Sequence, residues 1–264
     1  MLEEENAVNS HLIYNIGRPV LFAHRGSSAY APENTMSAFH RAVEQGCSAF
    51  ELDTMLSMDG RMVVIHDRKV DRTTDGVGNV DNLPLAELLK LDAGKWFDKK
   101  YSGEKIPILE QVLETFGRKI LINIELKNYH SPLDPLSQMV GELVKKMNLE
   151  DYVLISSFLP GNLGKIRKVI PRIPVALLTP RGFAGTVFRS FLYRGLSRHF
   201  IHPDYHDVNQ HSIANEHQRK RRVNVYTVND KRILTQLIRW DIDGYFCDDP
   251  IMAQTVLRQV LAEG

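Results

Sequence analysis

Apolar residues in this chain come in short blocks separated by longer amphipathic stretches. Pro19-Val20-Leu21-Phe22-Ala23 is a continuous apolar run, the pattern of a strand buried on both faces, and it stops at the polar triplet His24-Arg25-Gly26. From Asn34 to Gln45, Phe39, Ala42 and Val43 recur at helical spacing, and Gly46 supplies a C-terminal stop before a strand over 49–55. That is one β-α-β unit. Leu109, Val112, Leu113 and Phe116 mark another helix, 119–126 a strand, and Leu136, Met139, Val140, Leu143, Val144 and Met147 a helix opened by Asp134-Pro135. Further strands are expected at 153–156, 174–178, 200–202, 223–227 and 244–247, with helical patterns between them. The last two helices are the clearest, on Ile233, Leu234, Leu237 and Ile238, then on Ala253, Val256, Leu257, Val260 and Leu261. Eight β-α units in 264 residues predict an α/β fold of the (β/α)8 TIM barrel type, whose reactive groups gather at the carboxyl ends of the strands. An open doubly wound sheet is the competing arrangement, but no G-x-G-x-x-G follows the first strand.

One stretch breaks the rhythm. Residues 68–105 hold Asp71-Arg72-Thr73-Thr74-Asp75-Gly76, a short helical piece around Leu83 to Leu91, and Trp96, Phe97 and Tyr101. They are too many for an ordinary connection, so they are expected to form a small inserted lobe after the second strand, within a single domain spanning 1–264.

Composition acts mainly by exclusion. With 33 basic against 32 acidic residues, no general field recruits nucleic acid. The N-terminus, Met1-Leu2-Glu3-Glu4-Glu5-Asn6, lacks the basic start and apolar core of a signal peptide, and no apolar run approaches the ~18 residues of a membrane span. A soluble, cytoplasmic protein is expected. Cys47 and Cys247 each sit in an apolar stretch, as reduced core thiols would.

The candidate chemistry lies at predicted strand ends. Period-2 alternation puts Glu51 and Asp53 on one face of the second strand. A hairpin turn at Asp59-Gly60 pairs Met55 with Val63 and Asp53 with Ile65, which brings His66 level with the carboxylates. In Asn123-Ile124-Glu125-Leu126-Lys127 the same alternation aligns Glu125 with Lys127, while His24, Arg25 and Tyr226-Thr227-Val228-Asn229 follow other strands. Three carboxylates ~4 Å apart repel by ~4 kcal/mol per pair at an effective dielectric near 20, so they need raised pKa values or a cation. Oxygen-only ligands suit one hard divalent cation, Mg2+ or Ca2+. Arg25 and Lys127 would complete a phosphate pocket, and two histidines could share acid and base duties. Such a set describes metal-assisted phosphodiester cleavage.

These residues resemble a known family. His24-Arg25-Gly26, Pro32-Glu33-Asn34-Thr35, Glu51-Leu52-Asp53, Asp59-Gly60, His66-Asp67, Asp71-Arg72-Thr73-Thr74, Glu125-Leu126-Lys127, Tyr226-Thr227-Val228-Asn229 and Asp243-Gly244 through Asp249-Pro250 look like the glycerophosphodiester phosphodiesterase family, in its order, from about residue 20 to 255. The resemblance implies a barrel with a lobe that hydrolyses small glycerophosphodiesters to sn-glycerol 3-phosphate and an alcohol. It makes His24 and His66 the acid/base pair, Glu51, Asp53 and Glu125 the metal ligands, and Arg25 and Lys127 the phosphate binders. Tyr226, in the substrate-facing aromatic wall, stands where the family more often has tryptophan, and Phe246-Cys247 replaces a common isoleucine-threonine pair.

Plainer roles are expected elsewhere. The remaining histidines, His11 and His202 among them, lack ligand-like spacing, and Arg219-Lys220-Arg221-Arg222 suits the C-terminal end of a helix. In 181–198, Phe183, Val187, Phe188, Phe191 and Leu192 crowd one side beside Arg181, Arg189, Arg194 and Arg198. Packing on the barrel explains such a helix first, and transient contact with a membrane or a lyso-lipid second. Two alternative functions follow: a lysophospholipase D, and a catalytically silent barrel that binds metal or phosphate.

Overall fold

The computed structural model describes residues 11–189 and 195–263. Eight parallel strands form the expected barrel: β1 (Val20–Ala23), β2 (Ala49–Leu56), β4 (Leu121–Leu126), β5 (Val153–Ser157), β6 (Val175–Thr179), β7 (Phe200–Pro203), β8 (Arg222–Val225) and β9 (Gly244–Cys247). They run in the order 1-9-8-7-6-5-4-2, and β1 pairs with β2 to close the ring. The short β3 (Met62–Val64) returns antiparallel from β2, with Met55 opposite Val63 and the Ile65 N–H on the Asp53 carbonyl, as the hairpin reading requires.

Strand alternation separates two cores. Outward residues such as Phe50, Leu52, Ile122, Ile124, Ile155 and Leu177 pack under the helices, while Val20, Phe22, Leu121, Leu154, Ala176, Phe200 and Phe246 fill the barrel. The inward face changes character from bottom to top. On β4 and just beyond it the successive inward residues are Leu121, Asn123, Glu125 and Lys127, so apolar filling gives way to amide and then to charge. Below, the one-turn helix α1 (Leu12–Asn15) plugs the barrel floor with Ile13. Arg222 clamps it, bonding the Ile13 carbonyl at 2.6 Å and lying over the Tyr14 ring. That assigns Arg222 to β8 and the plug rather than to a helix end; Arg219 and Arg221 both pair with Glu216 of the preceding helix.

Other boundaries move for local reasons. The β4 ladder starts at Leu121 rather than 119, because the Lys119 N–H still closes a turn on Phe116. The strand expected to reach 227 ends at Val225, and Tyr226 adds only a bridge to Asp204. Between β3 and helix α4 (Leu109–Phe116), the chain folds through 3-10 turns and the single turn α3 (Leu85–Leu88) around Val70, Val80, Leu88, Ala93 and Ile106. The helix expected near 83–91 is limited to α3 by Pro84 at its start and by 3-10-type bonds at its end. Cys47 and Cys247 are buried free thiols, both pushed up to about 12 by burial. No described helix is long and apolar enough to cross a membrane.

Candidate active site

At the carboxyl ends of β2 and β4, strand register sets Glu51 beside Asn123 and Asp53 beside Glu125. One carboxylate oxygen from each of Glu51, Asp53 and Glu125 lies within 4.8 Å of the others. The loop after β1 closes over them by an unusual path. Arg25 takes a left-handed backbone (φ 56°), followed by Gly26 (φ 80°), and a Cβ on Gly26 would stand 2.7 Å from the Ala38 backbone. This turn aims the Arg25 N–H at Glu51 Oε2, 2.9 Å away. Asn34, also left-handed (φ 57°), donates its amide to Asp53 Oδ2 at 2.8 Å and accepts from the Asp53 N–H.

The carboxylates are electrostatically unequal. Burial, then the charges of Asp53 and Glu125, push the Glu51 carboxyl well above its ordinary range. Burial opposes Asp53 as well, but Lys127, His66 and Arg25 outweigh it and hold that carboxyl well below the usual range. Lys127 Nζ sits 3.2 Å from Glu125 and 3.6 Å from Asp53; burial works against its charge, and these neighbours raise its pKa all the same. Glu51 Oε1 is buried without a protein partner. Three carboxylates that offer only oxygens, one of them the unpartnered Glu51 Oε1, fit a hard divalent cation.

Each histidine is held by a carboxylate. His24 Nδ1 is 2.6 Å from Asp248, which also accepts from Ser28 and Asn229. Those bonds overcome burial and lower the Asp248 carboxyl. His66 Nδ1 is 2.6 Å from Asp67, and Arg72 ties Asp67 to Glu33, which in turn bonds Arg25 at 2.7 Å. Against the drag of burial, Arg72 and His66 bring Asp67 down to about 2. Both rings line the same chamber. Glu125 Oε1 accepts from the Tyr129 hydroxyl at 2.5 Å.

Two cavities meet at His66 and Lys127. An inner chamber of about 200 Å3 is lined by His24, Glu51, Asn123 and Glu125, with Phe158, Leu178, Tyr226 and Phe246 as apolar walls. An outer groove of about 430 Å3 runs between Arg68, Lys69 and Asp81 on one side and Asn128 to Asp134 on the other. All eight residues singled out from the sequence (His24, Arg25, Glu51, Asp53, His66, Glu125, Lys127, Tyr226) converge here. The Tyr226 hydroxyl is engaged by the Thr179 carbonyl at 2.9 Å, so it presents its ring to the chamber. Sequence reasoning assigned no role to Asn34, Asp248, Tyr129 or Asn123. Asp248 directly follows β9, so a search of polar residues at every strand end would have found it; Asn34 lies in a quoted motif but off any strand.

On the outer wall, α7 (Phe183–Arg189) divides its apolar residues: Phe188 packs on the core, whereas Phe183 is 85% exposed. Arg189 pairs with Asp207 at 3.1 Å. Phe191, Leu192 and Arg194 lie outside the described residues.

Comparison with known proteins agrees with this geometry. The model of the glycerophosphoryl diester phosphodiesterase family matches residues 24–252. A glycerophosphodiester phosphodiesterase of Caldanaerobacter subterraneus is 36% identical over 243 residues, 92% of this chain and 99% of that one. One from Bacillus altitudinis is 33% identical over 91% of this chain and 98% of its own length. Among solved structures, an Oleispira antarctica phosphodiesterase in complex with the product sn-glycerol-3-phosphate superposes with a TM-score of 0.82 at 31% identity, covering 91% of this chain and 97% of that one. Barrel and sequence agree along nearly the whole length, and the chain belongs to the glycerophosphoryl diester phosphodiesterase family.

Proposed function

We propose that the protein hydrolyses water-soluble glycerophosphodiesters, such as glycerophosphocholine and glycerophosphoethanolamine, to sn-glycerol 3-phosphate and the free alcohol. The observation that carries this reading is the convergence of Glu51, Asp53 and Glu125 within 4.8 Å between two carboxylate-held histidines. A divalent cation, Mg2+ or Ca2+, bound by those three carboxylates would polarise a phosphoryl oxygen. Lys127 and Arg25 add positive charge for the phosphate, with Lys127 already buried between Asp53 and Glu125. His24 and His66 are the acid/base pair: one Nε2 takes a proton from the attacking water, or from the neighbouring glycerol hydroxyl, while the other gives one to the leaving alcohol; on the hydroxyl route a water then opens the cyclic phosphate with the two roles exchanged. Asp248 and Asp67 act on them as positioning residues, fixing each ring through Nδ1. The Tyr226 ring and Phe158 form the apolar wall of the substrate chamber.

A second reading, lysophospholipase D activity, is favoured by Leu133 and Phe183, exposed at 91% and 85%, the first in the segment after β4 and the second at the start of α7 after β6. The test is sn-glycerol 3-phosphate release from glycerophosphocholine by metal-stripped protein, with Mg2+ and Ca2+ restored separately and lysophosphatidylcholine run alongside. Metal-dependent release from the soluble diester is expected. Turnover confined to the lyso-lipid would replace this reading with the second, and inactivity toward both would return the protein to a silent barrel.

A further inference from the structure

Asn123 is 1% exposed and faces the inner chamber. Its Nδ2 donates to Ser156 Oγ at 2.9 Å, which fixes the amide and leaves Oδ1 as its unengaged polar atom. That oxygen is buried and has no protein partner. Leaving a buried carbonyl oxygen unpaired is costly, so the site is built for a donor that arrives with the ligand. Glu51 Oε1, beside it in register, is also unpaired, but its carboxylate belongs to the metal cluster, whereas Asn123 brings a neutral acceptor.

Depth identifies the donor. Asn123 lies two residues below Glu125 on β4, about 7 Å further into the barrel. With the phosphate held at the level of Glu125 and Lys127, the atom that reaches Asn123 belongs to the far end of the substituent in the inner chamber. The walls there are Phe158, Leu178, Tyr226 and Phe246, with Ser156 and Thr227 as neutral polar groups. Such a lining suits a small neutral polyol. The charged outer groove, with Arg68, Lys69, Asp81 and Asp134, suits the variable alcohol. A quaternary ammonium would bring no hydrogen to Asn123.

Resting on the activity proposed above, we infer that Asn123 Oδ1 accepts a hydrogen bond from the terminal hydroxyl of the substrate's glycerol unit and is the residue that selects deacylated diesters. An acyl ester at that hydroxyl removes the donor, and a chamber of about 200 Å3 that must also seat the phosphate has no room for an acyl chain.

The test is a cycle of two enzymes and two substrates: wild type and Asn123→Leu, each with glycerophosphocholine and with its analogue carrying hydrogen in place of the terminal hydroxyl. Asn123→Leu is expected to lose about 100-fold in kcat/KM on glycerophosphocholine, and wild type a similar factor on the analogue, while the variant loses little more when the analogue replaces the natural diester. Inhibition by sn-glycerol 3-phosphate should weaken in the variant, inhibition by phosphocholine should not, and the Mg2+ Kd should stay within twofold. Equal losses on both substrates, or a weakened Mg2+ Kd, would overturn the assignment. If Asn123→Leu does not fold, the two substrates on wild type and Asn123→Ser decide it: equal kcat/KM of wild type on both removes the idea. Wild type inactive on every diester would instead remove the proposed activity itself.

Discussion

The two ends of the barrel handle polar groups in opposite ways. At the bottom, His11 and Asp243 are fully engaged: His11 Nδ1 accepts from the Ile13 N–H at 3.1 Å, its Nε2–H donates to the Val153 carbonyl at 3.0 Å, and buried Asp243 accepts from Arg18, His217 and the Val223 N–H. At the top, like charges crowd together, Arg25 and Asn34 adopt left-handed backbones, and Glu51 and Asn123 keep unpaired oxygens. The contrast separates what holds the molecule together from what it holds open for a ligand.

Substitutions should therefore have opposite consequences at the two ends. The largest expected effect is Glu51→Gln, which should lower kcat by 10³-fold or more while raising the Tm of metal-free protein, because it removes a buried charge from beside Asp53 and Glu125. A fall in Tm would mean that the cluster stabilises the fold. Asp248→Asn should come next, lowering kcat about 10–100-fold with KM and Tm nearly unchanged, since it loosens the His24 ring without emptying any core; a changed KM alone would assign Asp248 to substrate binding. At the other end, Ile13→Ala should cost about 2–4 kcal/mol of stability in urea titration and leave kcat within twofold. Lost turnover in the folded variant would show the ends to be coupled.

A further predicted effect is on acid stability. Burial lowers His11 to about 4 and His202 to about 3, so the folded chain keeps both rings neutral while the unfolded chain gains their protons below about pH 6.5. Stability from His11 is then full above that pH and falls by about 3 kcal/mol as the pH drops to about 4. Urea midpoints measured across pH 7 to 4 should decline, and less steeply in His11→Gln. A slope that His11→Gln leaves unchanged would place the titration elsewhere.

The top of the barrel was more legible in sequence than the bottom. Alternation along β2 and β4 places Glu51, Asp53 and Glu125 on one face, and the Asp59-Gly60 turn fixes where His66 falls, so side-chain direction follows from period alone. The partners that position these groups come from distant segments. Asp248 meets His24 across 224 positions, and Asn34 meets Asp53 through a left-handed turn that no periodicity signals. The plug α1 is one turn long and has no repeat to read, and residues 68–105 fold by turns around a small core rather than by regular elements.

The two cysteines turn the barrel into its own clock. Cys47 and Cys247 are buried, and their acidity is suppressed to about 12, so the folded state offers an alkylating reagent almost no thiolate. Labelling must then wait for the structure to open, and its rate counts openings. Cys247 lies on β9, the strand that joins β1 to β8, and Cys47 precedes β2, so the two labelling times report separately how often each side of the β1 seam comes apart.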